Sequence, residues 1–181
     1  MLGIGYGVNI FLNQAASWMG LQSTAGTPRP VTPGTEYAGV RELSEQMALP
    51  GGLTSHALVS FLLERIRKRD PALNAIIELN PQALEIAREL DRERAGGNVR
   101  GPLHGVPVLL KDTIETGDTQ QTSAGAFGLV GAAATKDAFI VERLRQQGAV
   151  ILGKTNLTEL AGFRGDPDGF SRRGGQTFNP H

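Results

Sequence analysis

Lys111 is the residue at which this sequence comes nearest to chemistry. Five apolar residues, Val106 to Leu110, carry the chain through what must be core, and Lys111-Asp112 follows where strand should give way to loop. A lysine in that position has two physical readings. In one, its stem lies along the core while the amine reaches water. In the other, the amine is partly desolvated, which penalises its charged form and leaves a neutral base able to take a proton from a hydroxyl. Such a base needs a serine or threonine within about 3 Å. It also needs amides to hold the oxyanion that develops on the attacked group. The segment from Thr116 to Gly125, rich in Thr, Ser and Gly, is near enough in sequence to supply these, with Thr122 and Ser123 as candidate wall residues. Both are also ordinary turn hydroxyls.

A second stretch imitates a site and is refused on physical grounds. Gly148 through Gly153-Lys154-Thr155 satisfies the phosphate-loop pattern letter for letter. A phosphate loop follows a strand, curls its amides round an anion and opens a helix. Here the intervening residues Ala149, Val150, Ile151 and Leu152 want to be the strand themselves, and an extended strand cannot wrap a nest of amides around a phosphate. The expectation is a core strand from Ala149 to Leu152, then an exposed turn.

The elements that must position these residues are legible in outline. Thr54 or Ser55 caps a helix whose apolar stripe is Ala57, Leu58, Phe61, Leu62 and Ile66, and which Asp70-Pro71 is expected to end. Leu73 to Leu79 is a candidate short strand. Asn80-Pro81 opens a helix with Ala83, Ile86, Ala87 and Leu90 inward and Gly96-Gly97 at its close. Asp137 is the expected cap of a further helix running to about Gln147, with Ile140, Val141 and Leu144 facing the core. The succession of helix, tight glycine and buried strand is the rhythm of an α/β layer fold. Residues 1–36 read as a poorly ordered leader and a Pro/Gly linker, and the organised part begins near Tyr37.

Composition narrows the function classes. Eighteen basic residues balance eighteen acidic ones, so bulk charge gives no reason to expect a nucleic-acid partner. The chain has no cysteine, which excludes thiol catalysis and thiolate metal sites. His56, His104 and His181 show no metal-ligand spacing. No apolar run reaches the roughly 20 residues of a membrane span, and no basic leader precedes Arg29. No metal and no cofactor is expected, and the reading favours a cytoplasmic protein.

Four blocks in order carry a family resemblance. Gly101 through Lys111-Asp112 is similar to the segment around the catalytic lysine of the amidase-signature family. Thr122-Ser-Ala-Gly125 resembles the small-residue segment that follows, Gly148 through Asn156 to Glu159 resembles the next strand and loop, and Arg173 through Pro180 resembles the approach to the serine-rich signature. The resemblance runs from about residue 37 to the last residue. It implies a partial amidase-signature domain of α/β class, with a mixed sheet flanked by helices. It implies hydrolysis of carboxamide C–N bonds by a Ser-Ser-Lys triad, with a small-molecule amide as substrate. One serine attacks, a second relays protons, and Lys111 takes the place of the lysine. Thr122, Ser123 and Gly125 would line the site, with Thr155 and Asn156 as structural support nearby.

By the same resemblance both serines belong beyond His181, so residues 37–181 correspond to the N-terminal part of the domain, before the serine-rich signature. Lys111 cannot form a serine ester, so a polypeptide of these residues is expected to be inactive alone. The alternatives are a non-enzymatic binding or scaffold protein, one piece of a split amidase whose partner chain supplies the serines, and part of a longer amidase. Exposed strand edges and apolar faces are expected to make the isolated chain poorly soluble or molten.

Overall fold

The computed structural model describes Val31, Thr35 and residues 38–180, so the expected leader and linker lie almost wholly outside the described residues. The main elements, in chain order, are α1 (Val40–Ala48), α2 (Ser55–Leu73), β1 (Ile76–Leu79), α3 (Ala83–Ala95), β2 (Pro107–Lys111), α4 (Phe139–Gln146), β3 (Val150–Thr155), β4 (Phe170–Ser171) and β5 (Gly175–Gln176). β1, β3 and β2 form one sheet in that order. β3 runs antiparallel to β1 and parallel to β2, so the sheet is mixed. β4 and β5 pair as a small antiparallel ribbon.

Strand alternation divides the core in two. Val106, Leu109, Val150 and Leu152 face α1, α2 and α3 and pack with Leu43, Leu58, Leu62, Ala87 and Leu90. Val108, Leu110 and Ile151 face the other way and pack with Val141 and Leu144 of α4. Both faces of β2 and β3 are therefore covered. This is why their sequences read as continuous apolar runs rather than as alternating ones. The chain is an α/β protein with helices on both sides of a mixed sheet, as expected.

Several local expectations hold and several need correction. Thr54 caps α2, its Oγ1 accepting from the Ala57 amide at 3.1 Å. Asp91 of α3 takes the next two free amides, Ser55 at 2.7 Å and His56 at 2.9 Å. Asp70-Pro71 does not end α2, which continues to Leu73. A proline in the last turn sacrifices little further helix, and Asn74 makes the stop three residues later in a left-handed conformation (φ 52°). The Asp70 carboxylate then receives the Ala75 amide at 2.8 Å. Asn80 does open the α3 region, accepting from Gln82 at 2.9 Å, although the regular helix begins at Ala83.

Asp137 is not the cap of α4. That position falls to Ala138, and the Asp137 carboxylate binds the Gly117 amide at 2.7 Å and Arg145 Nε at 2.8 Å. A tertiary ion pair outcompetes the local cap. Ile140, expected inward, is exposed, whereas Val141 is buried.

The refused phosphate loop is a strand, and a longer one than expected. β3 continues through Gly153, Lys154 and Thr155, so the predicted exposed turn is wrong, and Lys154 is fully buried. The reason is tertiary. Gly153 lies so close to β1 that a Cβ there would sit 2.4 Å from the Glu78 carbonyl. The pairing also slips: Val108 faces Ile151 but Leu109 faces Gly153, leaving Leu152 as an extra residue in β3. Past that bulge Lys154 stands between Leu110 and Glu78 in the neighbouring strands.

Candidate active site

β2 and β3 run parallel, so their C-terminal ends emerge together. Lys111 pairs with Thr155, and the Asp112 amide donates to the Thr155 carbonyl at 3.3 Å. Beyond Lys111 the chain turns at once, with Ile114 N–H closing onto the Lys111 carbonyl at 2.9 Å. Lys111 is half-buried at the mouth of the sheet, the last residue of a strand whose other four are buried.

The Thr116–Gly125 segment then returns to its own starting point. Asp112 is completely buried and organises that return. Its carbonyl accepts from the Ala124 amide at 3.1 Å. Its Oδ2 accepts from Ser123 Oγ at 2.6 Å and from the Gly125 amide at 2.9 Å. Thr122 Oγ1 accepts from Lys154 Nζ at 3.1 Å. The hydroxyls of Thr122 and Ser123 are thus engaged by Lys154, which stands opposite Leu110 in the neighbouring strand, and by Asp112, which follows Lys111 in the chain. Gly125 holds a left-handed φ of 71°, and a Cβ on it would lie 2.6 Å from Ser171 Cβ. Only glycine lets the segment meet the β4–β5 ribbon that closely.

That ribbon is fastened from three sides. Asn156 receives Ser171 Oγ at 2.7 Å on its Oδ1, and its Nδ2 donates to the carbonyls of Gly175 at 3.1 Å and Asn74 at 3.2 Å. Asn74 Nδ2 donates to the carbonyls of Gly174 and, at 3.0 Å, Gln176. The Arg173 amide donates to the Gly125 carbonyl at 2.9 Å. Its guanidinium binds Glu78, Ser123 Oγ at 3.0 Å and Asp112 Oδ1 at 3.4 Å. Asn156 therefore supports the region structurally by tying three chain segments together. Thr155 serves through its backbone, as the pairing partner of Lys111.

Beside this network lies the buried ammonium of Lys154. It donates to the Ile114 carbonyl at 2.7 Å as well as to Thr122. Burial pushes its pKa below the ordinary lysine value. Asp112, Asp118 and Glu78 oppose that shift, and Arg173 adds to it.

Five contributors escaped the sequence reading: Asn74, Glu78, Asp112, Lys154 and Arg173. Glu78 and Arg173 are 95 residues apart, and no local pattern connects them. Asp112 was visible beside Lys111, yet nothing in its neighbourhood announced that the loop would fold around its carboxylate. His104 is structural: its Nδ1 accepts from the Arg100 amide at 3.1 Å, so Nε2 carries the proton directed at the Leu90 carbonyl 2.9 Å away. Among the described residues no cluster of three or more His, Asp or Glu is placed to hold a metal ion, and no helix is long and apolar enough to cross a membrane.

Fold and site together define a mixed α/β protein in which a strand ends in a lysine and the loop that follows is tied back through Asp112 to Ser123 and Gly125. The amidase family model matches residues 57–181, and the chain belongs to that family. It is 45% identical over 147 residues to a putative amidase of Schizosaccharomyces pombe, a match covering 80% of this chain and 25% of that protein. It is 53% identical over 133 residues to a probable amidase of Arabidopsis thaliana, covering 71% of this chain and 26% of that one. Among solved structures it resembles the native peptide amidase of Stenotrophomonas maltophilia with a TM-score of 0.76 and 50% identity, covering 82% of this chain and 31% of the enzyme. The chain thus spans about a quarter of the length of these curated relatives.

Proposed function

We propose that this chain is the lysine-bearing portion of an amide hydrolase, with Lys111 as the general base of a Ser-Ser-Lys triad. The observation that carries the reading is the placement of Lys111. A cation ends a buried strand, and the loop leaving it folds back through Asp112 onto Ser123 and Gly125. A half-buried lysine at a strand end is where a proton acceptor can be set. The Arg173-Gly174-Gly175 ribbon, held against the same loop, would bring a following serine-rich segment to the lysine. Family membership and the resemblance of the four sequence blocks support the same assignment. The substrate is a small-molecule carboxamide, and the acceptor is water.

On this reading the 181 residues supply the base and its surroundings but neither serine, so a polypeptide of these residues alone does not turn over amides. Two assays test the proposal. The purified chain, offered simple aliphatic and aryl amides, should show no turnover, and an ester substrate should give no burst. Fused to the remainder of the Stenotrophomonas peptide amidase, it should hydrolyse peptide amides, and Lys111→Ala should lower kcat by roughly a hundredfold or more. A fusion as active with alanine as with lysine at 111 would remove Lys111 from the mechanism. A burst from the isolated chain would refute its dependence on the serines.

A further inference from the structure

The lysine of the refused phosphate-loop pattern has no part in that chemistry, yet it is the largest fully buried side chain among the described residues. A buried ammonium is retained only where bonds and opposite charge offset its lost hydration. The bonds of Lys154 are unusual in what they join. The Ile114 amide closes the turn onto the Lys111 carbonyl at 2.9 Å, and the Ile114 carbonyl receives Lys154 Nζ at 2.7 Å. The same Nζ binds Thr122 Oγ1 at 3.1 Å, eight residues further along. The start and the end of the excursion are therefore fixed to one atom, which is itself anchored in the central strand of the sheet. The carboxylates around it come from separate parts of the chain: Glu78 from β1, Asp112 from the turn that follows β2, and Asp118 from within the excursion. The other cation there, Arg173 from the ribbon, shares Glu78 and Asp112.

We propose that Lys154 is a positioning residue for Lys111: its ammonium staples Ile114 to Thr122 and so fixes the turn on which Lys111 sits and the wall beside it. The proposal deepens the amidase reading and takes from it the role of Lys111. The arrangement of the staple stands on its own geometry. The sheet fixes only the strand side of Lys111. The turn that follows has the Ile114–Lys111 bond of its own, and Lys154 holds the far side of Ile114.

Hydrogen exchange and amine labelling on the full 181-residue chain test this. In Lys154→Met the amides of Ile114, Ala124 and Gly125 should exchange roughly tenfold faster or more, as expected for losing a bond to a charged donor. Val150, which bonds to Val106 across β2 and β3, should keep its protection. Acetylation of Lys111 relative to exposed Lys68 should rise about threefold or more as the turn loosens, a change that a purely stabilising role would not produce. Lys154→Arg, which keeps the charge, should restore much of both readouts. Thr122→Val removes one acceptor of the ammonium, together with the hydroxyl's own long bond to the Ile114 carbonyl at 3.5 Å, while leaving the charge in place, and should give the same local pattern at smaller size. It carries the test if Lys154→Met does not fold.

Uniform loss of protection with an unchanged Lys111 labelling ratio would reduce Lys154 to a core residue and overturn the proposal. So would unchanged exchange at Ile114 in Thr122→Val. Neither readout requires catalysis. An inactive fusion with the staple intact would therefore count against the amidase reading alone.

Discussion

Replacing Arg173 by methionine should destabilise the chain by about 2 kcal/mol. The Arg173 side chain is 13% exposed, and its guanidinium joins Glu78 of β1 to Asp112, which is wholly buried. Removing one partner of a buried pair costs about 3–5 kcal/mol, because the other charge is left uncompensated. Here the loss is smaller. Asp112 keeps Ser123 Oγ and the Gly125 amide, and its contact with Arg173 is long at 3.4 Å. Glu78 keeps the Gln121 amide at 3.2 Å and is partly in reach of water. With a urea m-value of roughly 1.5 kcal/mol/M, the unfolding midpoint should fall by about 1.3 M. Adding Glu78→Gln should recover part of the loss, because it removes the charge that Arg173 had compensated. The double-mutant cycle should show coupling of at least about 1 kcal/mol. A midpoint shift under roughly 0.3 M, or strictly additive single effects, would show that the ribbon is held by its backbone bonds and that the guanidinium contributes little.

Two other perturbations follow from the same geometry. Gly125→Ala forces a Cβ into a left-handed position 2.6 Å from Ser171 Cβ and should lower stability by about 2 kcal/mol or more, whereas Gly128→Ala, with nothing within 4 Å, should change it by less than about 0.5 kcal/mol; thermal melts of the two variants compare them directly. The Asp118 carboxyl is pushed up by burial, but the Gln120 amide and Arg145 outweigh that and hold it below the ordinary aspartate range. Its contribution is therefore complete above the ordinary aspartate pKa and is lost as the pH falls through the lowered value, so Asp118→Asn should flatten the acid limb of a pH–stability curve; an unchanged limb would refute the pairing with Arg145.

The local signals in the sequence were read well where short-range physics decides. The run Val106–Leu110 became the approach to β2 and four of its five residues because adjacent apolar residues can be buried on both faces of a sheet at once. Thr54 capped α2 because its hydroxyl needs only the amide three residues on. The same reasoning failed at Asp137, whose carboxylate found Arg145 and Gly117 rather than the end of its own helix. It failed again at Gly153-Lys154, read as the start of a loop because glycine and a charge ordinarily mark one.

Residue order alone was enough to determine the class of fold, the strand that ends in Lys111, the small-residue segment beyond it and the family those blocks belong to. Each of these is set by contacts within a few residues or by the types of residue in a row. The tertiary structure alone decided the partners. A one-residue bulge in β3 set Lys154 between Leu110 and Glu78, and packing brought Asp112, Glu78 and Arg173 together from three distant stretches. Opposite charges attract whatever their separation along the chain, so which of them meet is settled only when the sheet, the returning loop and the ribbon occupy the same space.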